Sequence, residues 1–199
     1  NSPRRSRLMG VGNDGPLRFL DVEVCRGSGM CVRRQVLQMS AEQLVVIDDI
    51  SNSDTGTEIL WTIDQRLTLR QIDKLSFLSD ATESGHRLHI ELAGKPNPEV
   101  ALVRGSVAPF AGWVVASELP QPADAISVVQ RDRDLEIAAL IEITKSPTKR
   151  SLQSFTRNDN ENWRISLKQH GGEVIVERKG LDISISQPNE SVSIRVDEP

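Results

Sequence analysis

Residues 23–34, EVCRGSGMCVRR, hold both cysteines of the chain with five residues between them. Zinc and redox motifs usually place two residues between cysteines, and one pair alone cannot complete a tetrahedral metal site. Gly27, Ser28 and Gly29 suit a turn that needs positive φ. Side chains alternate on both sides of that turn. Leu20, Val22 and Val24 share one face before it, against Asp21, Glu23 and Cys25 on the other. After it, Cys31, Arg33 and Gln35 oppose Val32, Arg34 and Val36. The stretch therefore reads as a β-hairpin with Cys25 and Cys31 nearly opposite, carrying either two free thiols or one cross-strand disulfide.

The same alternation recurs outward from the hairpin. LRFLDVEV, CVRRQVLQM, QLVVIDDI, RLHIEL, EVALVRG, AISVVQ, WRISLKQ, GEVIVERKG, LDISISQ and SVSIRVD are short, rich in Val, Ile and Leu, and separated by turn residues. EILWTIDQRLTL sets Ile59, Trp61, Ile63, Leu67 and Leu69 against polar positions. DLEIAALIEI has good helix formers, but Leu135, Ile137, Ala139, Ile141 and Ile143 alternate as a strand. Around a dozen strands at this spacing predict an all-β fold, a large two-sheet antiparallel β-sandwich. Residues 1–16 read as a flexible N-terminal segment and 17–199 as a single domain, with a softer boundary near 145–155, where the chain is polar and contains Pro147.

Composition narrows the function. A net charge of −4 argues against a general nucleic-acid binder, which needs a basic surface. No apolar run is long enough to cross a membrane. The start, NSPRRSRLMGVGNDG, is basic without an apolar core and lacks an initiator Met, so it is expected to be a piece of a longer chain rather than a signal peptide. There is no Tyr, no glycine-rich phosphate loop and no HExxH or GxSxG motif. His86 reads as a turn residue, His89 as solvent-facing, and His170 as part of another turn. Trp61 reads as a core residue and Trp163, at the start of a strand, as core or edge. Trp113 in GWVVASEL reads either as a packed residue or as an exposed indole able to stack on a sugar face. The adjacent Asp48 and Asp49 point apart on a strand and are poor partners for acid–base work.

Two segments carry a family likeness. RRQVLQMSAEQLVVIDDI, residues 33–50, and APFAGWVVASELPQPADAISVV, residues 108–129, resemble in order and spacing the C-terminal region of the heparinase II/III-like polysaccharide lyases. The matching positions are Arg34, Val36, Asp48, Ile50, Gly112, Trp113, Pro122 and Ala123, and the likeness spans roughly residues 17–143. It implies a β-sandwich that works beside an N-terminal helical toroid in the β-elimination of a uronate-containing polysaccharide. That chemistry needs a base, a group neutralising the carboxylate and an acid for the leaving oxygen. The resemblance implies that the toroid supplies most of these, so the parent protein is expected to be a lyase and this chain to be inactive alone. The implied setting is a bacterial envelope, periplasmic or secreted, with acidic polysaccharide and the missing toroid as partners. Trp113, Arg34 and Arg33 are the carbohydrate-contact candidates. No cofactor is expected. Some family members hold zinc through His and Asp. Here the position of the His is Val32, so Asp48 remains as a residual ligand position and is expected to cap a turn instead. The alternatives are a stand-alone carbohydrate-binding module and a structural or interaction domain.

Overall fold

Alternating inward and outward side chains build a sheet with two apolar faces, and each face receives its own smaller sheet. The computed structural model describes residues 5–27, 29–53, 56–95, 98–108, 110–115, 119–131, 134–145, 150–169 and 172–199. A meander of β1 (Arg5–Asp14), β2 (Leu17–Cys25), β3 (Cys31–Ser40) and β4 (Gln43–Ser51) opens the chain. β5 (Thr57–Thr62) leaves this sheet, and β6 (Leu69–Asp73), β7 (Ser76–Ser79) and β8 (Arg87–Lys95) return to it. β9 (Glu99–Arg104) is followed by four two-residue strands, β10 (Ser106–Val107), β11 (Phe110–Ala111), β12 (Trp113–Val114) and β13 (Gln121–Pro122). Then come β14 (Asp124–Gln130) and β15 (Leu135–Thr144). A second meander follows: β16 (Arg150–Asp159), β17 (Asn162–Gln169), β18 (Gly172–Lys179), β19 (Asp182–Gln187) and β20 (Glu190–Arg195).

The central sheet has the order β1-β2-β3-β4-β15-β8-β7-β6, antiparallel throughout. β15 lies between β4 and β8 and is buried on both faces. Its Ala138 and Leu140 join Leu37, Val45 and Ile47 under the five-stranded sheet β16–β20. Leu135, Ile137 and Ala139 join Phe77, Ile90, Ile126 and Val128 under the sheet β5-β14-β9. The all-β sandwich predicted from the strand pattern is thus realised as a large sheet with a separate cover on each face. No helix occurs among the described residues.

Two local expectations are corrected and a third is met. Within the segment expected to be flexible, residues 5–14 form β1, paired along its length with β2. Gly10 and Gly12 make this possible, because β20 and the residues after it pass so close that a Cβ would lie 2.5 Å from Val196 and 2.9 Å from Ile194. EILWTIDQRLTL is not continuous. Asp64 accepts the amides of Arg66, through its carboxylate, and of Leu67, through its carbonyl, so a turn separates β5 from β6. The hairpin of the opening stretch is present, with Cys25 and Cys31 in register and joined in a disulfide.

Candidate functional site

The family-like strand pair, β3 and β4, sets Arg34 directly opposite Asp48 on the face turned toward β5. The Arg34 guanidinium donates Nε and Nη2 to the two Asp48 oxygens at 2.6 and 2.7 Å, a bidentate pair. Trp61 adds a third bond from its Nε1 to Asp48 Oδ2 at 3.0 Å. The Asp48 side chain is fully buried, while that of Arg34 remains 44% exposed. The hydrogen bond to Asp48 raises the Arg34 pKa against the opposing pull of burial, so the guanidinium stays charged and held in one orientation. Asp48 sits inside a strand and anchors Arg34, which corrects its expected role as a turn cap. These residues do not fit zinc. Both Asp48 oxygens are engaged by an arginine and an indole, and Val32, where the resemblance would place a His, is an apolar residue packed against the core.

Arg33 points the other way and is withdrawn from the contact candidates. Its side chain is 8% exposed and donates to Asp21 at 2.8 and 2.6 Å. Arg178 of β18 shares the same carboxylate at 2.7 Å and lies over the Phe19 ring. Burial pulls the Arg33 pKa down most strongly, yet the hydrogen bond and charge of Asp21 reverse the balance and raise it. This is an internal clamp between two sheets.

Trp113 lies in an excursion between β9 and β14 made of two minimal hairpins, β10–β11 and β12–β13. Gly112 closes its base. At φ +72°, the Gly112 carbonyl accepts the amides of Gly105 and Ala123, and a Cβ there would fall 2.8 Å from the Ala123 carbonyl. Trp113 is half-buried, and its Nε1 donates to the Ser106 carbonyl at 2.8 Å. Phe110, 69% exposed, stacks on it with ring centroids 6.0 Å apart and planes 9° from parallel. Val107, Val115 and Leu119 are also exposed on this excursion. Sequence reasoning missed Phe110. Its only signal is its place three residues before Trp113, a spacing that no strand alternation would pair.

His89 is a further correction. Expected at the solvent face, it is 3% exposed, with Nε2 hydrogen-bonded to the Ser76 hydroxyl at 3.0 Å. Glu91 lies 3.6 Å and Glu142 3.9 Å from its ring nitrogens. Burial raises the Glu91 pKa even though its carboxylate accepts the Leu152 amide. The reason is β16, which passes over this end of β8 and encloses a face that would otherwise be wet. His86 is partly exposed beside the 83–85 turn, as expected, and His170 lies outside the described residues. Trp163 is core, its Nε1 donating to Gln35 Oε1 at 2.6 Å. Among the described residues, Glu23, Cys25 and Cys31 form one group with metal-ligand spacing, but its two sulfurs are bonded to each other and offer no thiolate.

The fold is that of a heparinase-type β-sandwich. A heparinase III gene product superposes with a TM-score of 0.70 at 15% identity, over 88% of this chain and 28% of its own length. The heparan sulfate lyase HepC from Pedobacter heparinus gives 0.68 at 12% identity over 87% and 28%. A further heparinase III structure gives 0.68 at 10% identity over 87% and 27%. The chain therefore spans little more than a quarter of the length of these neighbours. No protein-family profile and no curated protein sequence matches it.

Proposed function

We propose that this chain is the β-sandwich domain of a polysaccharide lyase and contributes substrate contacts rather than the base and acid of β-elimination. The observation that carries the reading is the likeness over 87–88% of the chain to structures named heparinase III and heparan sulfate lyase. Arg34 suits the role of neutralising or orienting a uronate carboxylate. Asp48 and Trp61 fix the guanidinium, and only two of its five N–H donors are committed to Asp48. The Phe110–Trp113 stack suits the C–H face of a sugar ring. The Cys25–Cys31 disulfide suits an oxidising compartment, where such polymers are met.

The test is affinity electrophoresis through gels containing alginate, heparin, hyaluronan or a neutral glycan, beside Trp113→Ala and Arg34→Ala. Retardation by an acidic polymer that both variants lose supports the reading. Retardation by the neutral glycan that only Trp113→Ala loses favours a binding module without catalysis, the reading suggested by the Phe110–Trp113 stack. Absence of retardation in every gel removes the contact role.

A further inference from the structure

We infer that a second cleft, formed by Arg5, Arg7 and Arg26 beside the disulfide hairpin, binds the sulfate or carboxylate groups of an anionic polysaccharide chain, and that the disulfide holds it in shape. Only the choice of a polysaccharide as carrier of the anion rests on the function proposed above. The cleft, about 320 Å³, is lined by these three arginines together with Glu23 and Cys25.

Register explains why they meet. Arg5 pairs with Cys25 and Arg7 with Glu23, so both side chains leave β1 on the face that carries the disulfide, about 7 Å apart along the strand. Arg26 enters from the turn that closes the β2–β3 hairpin. Its amide donates to the Met30 carbonyl at 2.8 Å and its carbonyl accepts the Gly29 amide at 2.9 Å. The disulfide ties the two strands together one residue before that turn begins.

Seven other arginines of the chain are answered by carboxylates, and these three are not. Arg33, Arg34, Arg66, Arg104, Arg131, Arg157 and Arg178 each have a carboxylate within 4.0 Å. Arg5, Arg7 and Arg26 are exposed, and none makes an ion pair among the described residues. The lining carries three positive charges and one negative, a local +2 on a chain whose net charge is −4. Guanidinium groups match the planar or forked geometry of carboxylate and sulfate oxygens, and a cleft focuses their field on an incoming anion. Nothing in packing requires three like charges here. Arg18, Arg70 and Arg164 also lack an ion pair among the described residues but do not line this cleft, so what marks Arg5, Arg7 and Arg26 is their convergence on one site.

The test is calorimetric titration with a short, fully sulfated uronate oligosaccharide and its unsulfated counterpart, at low and high salt. The variant Arg5→Gln/Arg7→Gln/Arg26→Gln is compared with a control of equal charge change, Arg18→Gln/Arg70→Gln/Arg164→Gln, drawn from exposed positions elsewhere. The cleft variant is expected to bind roughly tenfold more weakly at low salt, with the difference shrinking at high salt, while the control binds as the parent does. Comparable binding of both oligosaccharides assigns carboxylate as the group recognised, and preference for the sulfated one assigns sulfate. Reduction of the disulfide is expected to weaken binding a few-fold, and an unchanged affinity would remove the disulfide from the inference. Equal losses in cleft variant and control, or a parent that binds neither oligosaccharide, would overturn the cleft. Because Trp113 and Arg34 are untouched in these variants, retardation in the gels survives a failure of the cleft, so the two outcomes separate.

Discussion

The two covers of the central sheet are held by different means. The five-stranded cover is fastened by charged and polar side chains that cross between sheets: Arg178 to Asp21, Arg157 to Asp49 at 2.9 Å, and Trp163 to Gln35. The three-stranded cover rests mainly on apolar contact among Ile59, Ile126, Val128, Phe77 and Ile137, with Trp61 to Asp48 and the Leu69 amide to Asp124 as cross-sheet hydrogen bonds. Apolar contact is non-directional, whereas hydrogen-bonded ion pairs are directional and help specify one register. The surface with the candidate contacts, Arg34 and the Phe110–Trp113 excursion, belongs to the side with the apolar cover. The clamped side acts as the fixed base.

Breaking the clamp should have the largest effect. Asp21→Ala leaves two buried guanidinium groups without their shared carboxylate and is expected to destabilise the fold by about 4 kcal/mol in denaturant unfolding. Hydrogen exchange should rise first in β16–β20. On the other side, Ile126→Ala opens a cavity under the three-stranded cover and is expected to cost about 3 kcal/mol, with exchange rising first in β5, β9 and β14. If both variants deprotect the same amides, the two covers unfold as one unit and the contrast fails.

Asp48→Asn sharpens the comparison at a cross-sheet link of the apolar side. It weakens the charge-assisted bonds from Arg34 and Trp61 and is expected to cost about 2 kcal/mol. Gel retardation by an acidic polymer should fall with it, because Arg34 loses its fixed orientation. The smallest effect concerns pH. Glu91 in the fold holds its proton to higher pH than in the unfolded chain, because it is partly buried at the clamped side. The native state therefore binds more protons in the window above the ordinary glutamate range, and stability falls as pH rises through that window. Glu91→Gln should flatten this fall by about 1–2 °C in Tm, read by calorimetry across mildly acidic pH. A steeper fall in the variant would reverse the sign assigned here.

Most of the fold was legible because a strand writes its two faces as alternate letters. β15 shows this well: Leu135, Ile137 and Ala139 already define one face in the sequence, and Ala138 and Leu140 define the other. What the alternation does not contain is which face of which strand will be covered. Arg33 and Arg34 were separable as opposite-facing, but only Arg178, remote in sequence and sharing Asp21, and the sheet that carries it make Arg33 the buried one. His89 was assigned to solvent because it alternates with Leu88 and Ile90, and β16 then encloses that side. Trp113 could be singled out as a contact candidate, but its stacking with Phe110 depends on a base closed by Gly112, a backbone event without a hydrophobic pattern. The basic cleft was invisible for a similar reason: Arg5, Arg7 and Arg26 meet only through the β1–β2 register.

The doubly buried β15 also decides when the molecule can assemble. Its neighbours β4 and β8 end at Ser51 and Lys95, well before β15 begins at Leu135, and the two do not pair with each other. Until Thr144 has emerged from the ribosome, the halves of the central sheet remain separate, each with an open row of backbone donors and acceptors. Such long-range pairing is slow to form and exposes nascent chains to misassembly. The second meander, by contrast, closes entirely through neighbours in sequence. Biogenesis of this protein is therefore gated by one late strand, after which the remaining five can be laid on a finished floor.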